Sequence, residues 1–295
     1  MADPRFHAFV APARAYPGLG RLLAGTLLII NIYALVTVLI LGLLWLLSKR
    51  DANMIWLEDA LAADTPFSMF MLLATFLGMA LGPMVAARAI HKRGAGTLFG
   101  PAARTLRHFA IGLGIAGGIM GLAVLVSFQV NAPLPGLSFG TWILILPIAL
   151  IAIAIQTGAE ELLFRGYLQQ QLAARFASPV IWAVLPALIF GLLHFDPATA
   201  GGNVWLVVGS AGLFGLMAAD LTARSGSIGA AWGFHLANNM FALTVIATQG
   251  TLTGFALYLT PYDISDTEAI RALIPVDLGL MVLTWFLIRR AVAHR

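Results

Sequence analysis

Runs of apolar residues set the rhythm of this chain, and their lengths are informative. A helix needs about 20 mostly apolar residues to cross ~30 Å of hydrocarbon. Eight stretches approach that length: Leu22–Ser48, Pro66–Ala87, Phe109–Phe128, Thr141–Ala159, Val180–Phe195, Trp205–Ala219, Ile228–Ala247 and Ile274–Ile288. The pattern predicts an all-α polytopic membrane protein, with about eight transmembrane helices around a polar intramembrane cavity. The first run is too long and starts too late for a cleaved signal peptide, and no small-residue cleavage site follows it. It is expected to be a retained span. Several later runs are short, which points to tilted helices or helices that stop inside the protein. With no long linker, heptad array or internal repeat, residues 1–295 are expected to form a single integral membrane domain.

Composition strengthens the membrane reading. Apolar residues make up 60% of the chain and charged residues only 10%, against about 25% charged in soluble domains. There is too little polar side chain to coat a water-facing surface. The absence of cysteine excludes disulfides, thiolate metal sites and a cysteine nucleophile. A net charge of +4 raises the question of nucleic acid, but no basic stretch is interleaved with aromatics, so no nucleic-acid partner is expected.

Basic residues instead orient the chain. With the amino terminus in the cytoplasm and eight alternating spans, fourteen basic residues, from Arg5 and Arg14 to Arg290 and Arg295, fall inside. Only Lys49, Arg50 and Arg271 fall outside, beside Asp51, Glu58, Asp59, Asp64, Asp263, Asp266 and Glu268. This positive-inside bias predicts two cytoplasmic termini and, for a bacterial chain, the inner membrane. The segment Arg88–Arg107 is the longest basic loop, expected to be topogenic and to lie on anionic lipid. Gly112, Gly114, Gly117, Gly118 and Gly121 have small-xxx-small spacing suited to close helix packing.

Ionisable groups inside spans are expensive, so chemistry is sought there. Three clusters stand out: Glu160–Arg165, reading EELLFR; Phe190–His194, reading FGLLH; and His235–Asn239, reading HLANN. Adjacent helical residues diverge by about 100°, so Glu160 and Glu161 cannot share a direction. Glu161 and Arg165 are an i,i+4 pair on one face. That leaves Glu161 as the ion-pair partner and Glu160 as the free carboxylate, of the kind that serves as a general base. His235 and Asn239 are also i,i+4 and project together, whereas Asn238 points elsewhere and only caps or packs. Each cluster has a purely structural explanation: a buried ion pair, an interfacial histidine, an interhelical hydrogen bond. Together they supply a base, two imidazoles and an amide. Other hydrolase patterns are missing, including HExxH, GxGD and Gly-rich phosphate loops. Ser210, in a loose relative of GxSG, is expected to be a packing residue.

EExxxR, FxxxH and HxxxN in this order on an all-helical membrane chain resemble the CPBP family of intramembrane endopeptidases. That family includes CAAX prenyl endopeptidases of type II and bacteriocin-processing and abortive-infection proteins. The resemblance covers roughly residues 141–250, the expected catalytic core. It implies hydrolysis of membrane-associated or lipidated, CAAX-like peptides. By the same resemblance Glu160 and His194 would activate water, His235 and Asn239 would stabilise the oxyanion, and Glu161 and Arg165 would support the site. The cofactor stays open: none, or a divalent metal such as zinc with Glu160, His194 and His235 as candidate ligands.

The motifs must also meet in space. A turn near Ala177–Ser178 would bring Glu160 and His194 together across a hairpin. His235 lies near the cytoplasmic end of its span, about 20 Å away in depth if every span crossed fully. Span five is therefore expected to stop short, with Phe195–Asn203 dipping into the protein beside a water-filled cavity. Two other function classes remain: a non-catalytic scaffold or immunity-type binding protein of the same fold, and a small transporter. The transporter is disfavoured because the two halves carry no paired broken helices.

Overall fold

The structure is a computed structural model and describes residues 3–47, 62–130 and 132–293. Ser48 at the end of the first expected span lies outside these residues, as do Lys49, Arg50, Asp51, Glu58, Asp59 and Arg295. A short helix α1 (Pro4–Val10), capped by the Asp3 carboxylate, precedes α2 (Leu19–Leu47). Next come α3 (Pro66–Ala89), started by a Thr65/Ser68 capping box, and α4 (Ala102–Val130). A two-residue strand β1 (Leu134–Pro135) leads into α5 (Phe139–Glu161). That helix continues through a wide π-helical stretch, Leu162–Gln169, into α6 (Gln170–Arg175).

After a break at Phe176–Ser178, a π-helical turn Val180–Val184 leads into α7 (Leu185–Leu192). The short α8 (Pro197–Ala200) precedes α9 (Val204–Ser225), which Gly226 ends in a left-handed conformation at φ 66°. The remaining elements are α10 (Gly229–Met240), β2 (Ile246–Gln249), β3 (Tyr258–Asp263) and α11 (Thr267–Ala293). The strands form one small sheet in the order β1-β3-β2, with β2 parallel and β1 antiparallel to β3.

The protein is an integral, multi-pass, all-α membrane protein with this small sheet added. Six helical segments among the described residues are long and apolar enough to cross a bilayer, rather than the eight expected. The two that fall short are spans five and seven. Val180–Leu192 is a short apolar helix, and at 1.5 Å per residue it cannot cover ~30 Å. α10 ends at Met240, and the rest of its apolar run turns through Phe241–Val245 into strand β2. Apolar length alone could not separate helix from strand there. Large apolar side chains on the outer helices are open, such as Leu23 at 65% and Leu144 at 78%. A water-soluble protein would bury that surface; lipid covers it here.

The interior is built by close backbone contact and aromatic packing. Phe164, Phe190, Phe214 and Phe234 pack with Ala218, Ala230 and Ile288 in one cluster. Helix α10 lies against α4, and the small-xxx-small pair that permits this is Gly229 and Gly233 on α10. A Cβ at either would overlap a backbone carbonyl, of Thr105 or Phe109 respectively. On α4 only part of the expected glycine cluster contributes. Gly112 meets the Ala230 carbonyl and Gly121 meets Phe241, but Gly114, Gly117 and Gly118 face open space. Spacing identified a packing motif without identifying which helix face is covered.

Two other expectations are corrected. The basic loop is partly internal: Arg93 is 6% exposed and donates to Thr97 and Gln170, and burial pulls its guanidinium down to about 10. Phe195–Asn203 does not line the central cavity, and in its latter part only Ala200 and Asn203 are buried.

Gly233→Ala should cost about 1–3 kcal/mol by forcing α4 and α10 apart, lowering the melting temperature in detergent by several degrees. Gly117→Ala, with space to spare, should leave it unchanged. Equal effects of the two substitutions would refute this packing.

Candidate active site

Glu160 and Glu161 stand at the end of α5, where the helix widens, and their side chains diverge as helical geometry requires. Glu161 is fully buried and Arg165 is 2% exposed. Arg165 Nη1 donates to Glu161 Oε1 at 3.0 Å and Nη2 donates to the Gly215 carbonyl of α9 at 3.1 Å. Its guanidinium also lies 5.0 Å from the Phe190 ring centroid and 5.9 Å from that of Phe214. The same Glu161 oxygen accepts from His235 Nδ1 at 2.9 Å. One carboxylate thus ties α5, α9 and α10 together.

That bond decides the chemistry of His235. A carboxylate only accepts, so Nδ1 carries the proton and Nε2 faces outward. Nε2 lies 3.5 Å from Glu160 Oε2, which has no hydrogen-bond partner. Glu160 Oε1 accepts from Gln156 Nε2 at 2.7 Å, and Gln156 Oε1 accepts from Asn239 Nδ2 at 2.9 Å. A continuous polar chain therefore runs from Asn239 through Gln156 and Glu160 to His235, Glu161 and Arg165. The His235 ring is held edge-on by Phe190 and tilted against Phe214, with centroids at 6.1 and 4.8 Å.

His194 follows α7 on a short turn. Its Nδ1 donates to the Phe190 carbonyl at 2.9 Å, leaving Nε2 as the acceptor nitrogen. Glu160, His194, His235 and Asn239 all line one cavity of about 610 Å³, which α4, α9, α10, α11 and the sheet enclose. Glu160, His194, Asn239 and Gln156 also line a neighbouring chamber of about 500 Å³, whose other walls are mostly apolar, among them Leu72, Leu73, Phe76 and Met79 of α3, Phe164 and Leu193. The depth problem is resolved as the motifs required. Because α7 stops short, His194 and His235 open onto the same space.

Some assignments change. Asn238 does not point away: it lines the cavity and donates to Asn239 Oδ1 at 3.2 Å. Ser210 also lies on the cavity wall. Gln156 escaped notice in the sequence, although it stands i,i+4 to Glu160, the spacing that would have revealed it. Phe214 carried no local signal at all. Among the described residues no three His, Cys, Asp or Glu side chains are placed to hold one ion.

A multi-pass membrane protein with converging Glu, His and Asn side chains inside it is a recognisable class. Residues 140–241 match the Rce1-like family, the type II CAAX prenyl endopeptidases. Every motif residue from Glu160 to Asn239 falls within the match. The chain is also similar to the uncharacterized protein YyaK of Bacillus subtilis (strain 168), at 28% identity over 259 residues, spanning 84% of this chain and 85% of that protein. No solved structure matches it.

Arg165→Met should destabilise the protein by about 3–5 kcal/mol, because it strands a fully buried carboxylate. Combining it with Glu161→Leu should recover much of the loss in a detergent melting curve while His235 loses its anchor. A single substitution without effect on melting would show that the pair does not bear on folding.

Proposed function

We propose that this chain is an intramembrane endopeptidase that hydrolyses peptide bonds of membrane-associated or lipidated, CAAX-like substrates. The observation that carries the reading is that Glu160, His194, His235 and Asn239 line one cavity, with Glu160 Oε2 buried and without a hydrogen-bond partner. In this reading Glu160 takes a proton from water, with His194 Nε2 as the second acceptor. The water oxygen bonds to the scissile carbonyl carbon and the carbonyl oxygen becomes the oxyanion. Asn239 has one amide hydrogen beyond that given to Gln156, and it donates to that oxygen, a contact worth ~3–4 kcal/mol. His235 Nε2 can donate beside it only from the doubly protonated ring, since Nδ1–H is committed to Glu161. The C–N bond then breaks, and the proton held by Glu160 passes to the leaving amine.

Gln156 is a positioning residue that aims both Glu160 and Asn239, and Glu161 with Arg165 orients His235. The catalytic unit spans residues 141–250 within one membrane domain. Both termini are assigned to the cytoplasm and the protein to a bacterial inner membrane, on the distribution of basic residues. The apolar chamber beside Glu160 supports a substrate carrying a hydrocarbon group.

Membranes containing wild type or Glu160→Gln at equal abundance separate an enzyme from a scaffold of the same fold. Loss of a general base costs about 10²–10⁴-fold in rate, so peptide termini generated by wild type should disappear in the variant. Identical profiles of termini would contradict the proteolytic reading.

A further inference from the structure

The larger cavity has a second polar wall that hydrolysis leaves unused. Thr260 and Tyr262 of β3 and Asp277 of α11 line the same space as Glu160 and His194. Asp277 lies inside a 27-residue helix suited to cross a membrane. A carboxylate in such a helix is costly, and it faces a partner or an aqueous cavity. Among the described residues Asp277 has no hydrogen bond or ion pair. The arginines of its own helix do not serve it. Arg289 pairs with Asp220 at 3.1 Å, Arg290 covers the Phe286 ring, and Arg271 is six residues away, off its helical face.

Its neighbour Tyr262 does not supply a positive charge either. Burial, with Asp277 as the second cause, raises that phenol above its ordinary value, so it stays neutral and offers a hydroxyl. The charge balance of the whole lining points the same way. Two carboxylates and two imidazoles face the cavity, with no lysine or arginine among its walls. One of those imidazoles, His235, is already held between Glu160 and Glu161. A cavity with that lining concentrates cations.

We propose that Asp277, with Tyr262, forms a subsite for the ammonium or guanidinium group of a basic residue in the bound peptide. Asp277 is then a specificity-determining residue. The subsite rests on the proteolytic reading, because it presumes a peptide whose scissile bond lies at Glu160 while a flanking side chain reaches the α11 wall. The carboxylate left alone in a membrane helix gains its counter-ion when such a substrate binds.

The test uses the purified full chain in detergent and a set of hydrophobic peptides through which one lysine is walked. Each has a twin carrying norleucine, of equal length and no charge. Binding and cleavage are recorded separately on the same samples. At one or two positions the lysine peptide should bind wild type about tenfold more tightly than its twin, as expected for a hydrogen bond to a charged group. Asp277→Asn should abolish that preference and Asp277→Glu should retain it, while Asp277→Lys should transfer it to a glutamate peptide. Melting curves of the three variants exclude misfolding as the cause. A wild type that never favours lysine overturns the subsite, and so does a preference that survives Asp277→Asn. Lysine preference without cleavage supports the subsite and counts against the proteolytic reading. Cleavage without preference overturns the subsite alone.

Discussion

A fully buried carboxylate, Glu161, is the constraint on which the site depends. It accepts from Arg165 at 3.0 Å and from His235 at 2.9 Å, and both partners are nearly inaccessible. Removing two charges from solvent costs several kcal/mol per ion, and the cost is offset only when geometry and additional hydrogen bonds are good. Here the guanidinium also reaches a backbone carbonyl of α9 and lies against two aromatic rings. A hydrophobic cluster of the same size would hold these helices equally well. What it would not do is fix the tautomer of His235 and aim its other nitrogen at Glu160.

The backbone around this pair departs from regular α-helix. Leu162–Gln169 is π-helical, immediately after the two glutamates, and further such stretches are Val180–Val184, ahead of α7, and Phe241–Val245, after Asn239. Wide turns of this kind are frequent at functional sites. They shift the side-chain register while leaving the element continuous, so α5 runs on into α6 as one rod. The two short helices supply what full spans cannot. Because α7 ends at Leu192 and α10 gives way to strand β2, polar groups from both open into one cavity. Closing that space with a small sheet satisfies non-helical backbone that hydrocarbon would not tolerate.

Much of this was legible in the chain. The Glu161–Arg165 pair follows from i,i+4 spacing alone, and the divergence of Glu160 follows from helical rotation. The hairpin break at Phe176–Ser178 falls beside the position that the motif distances required. The demand that His194 and His235 meet predicts a short span five. Other features depend on partners distant in sequence. Gln156 looks like one polar residue in an apolar run until Asn239 is brought opposite it. Which glycines pack depends on the face that α10 covers, so Gly233 matters and Gly117 does not. Asp277 sits alone in the last apolar stretch, and only the cavity wall it joins gives it meaning. Strand β2 was hidden because an apolar stretch reads alike as helix or strand when its partner strand is unknown.

The end of the short α7 and the middle of α10 share one cavity. The chain has no cysteine, so a pair of cysteines can be introduced without background. His194→Cys combined with His235→Cys, treated in membranes with a short thiol crosslinker, measures their approach directly. Phe109→Cys with Trp232→Cys, whose rings meet between α4 and α10 at 4.9 Å, is the positive control. An internal crosslink between positions 194 and 235 should form as efficiently as the control. A control that crosslinks while the 194–235 pair does not would put the two imidazoles in different places and contradict the shared site.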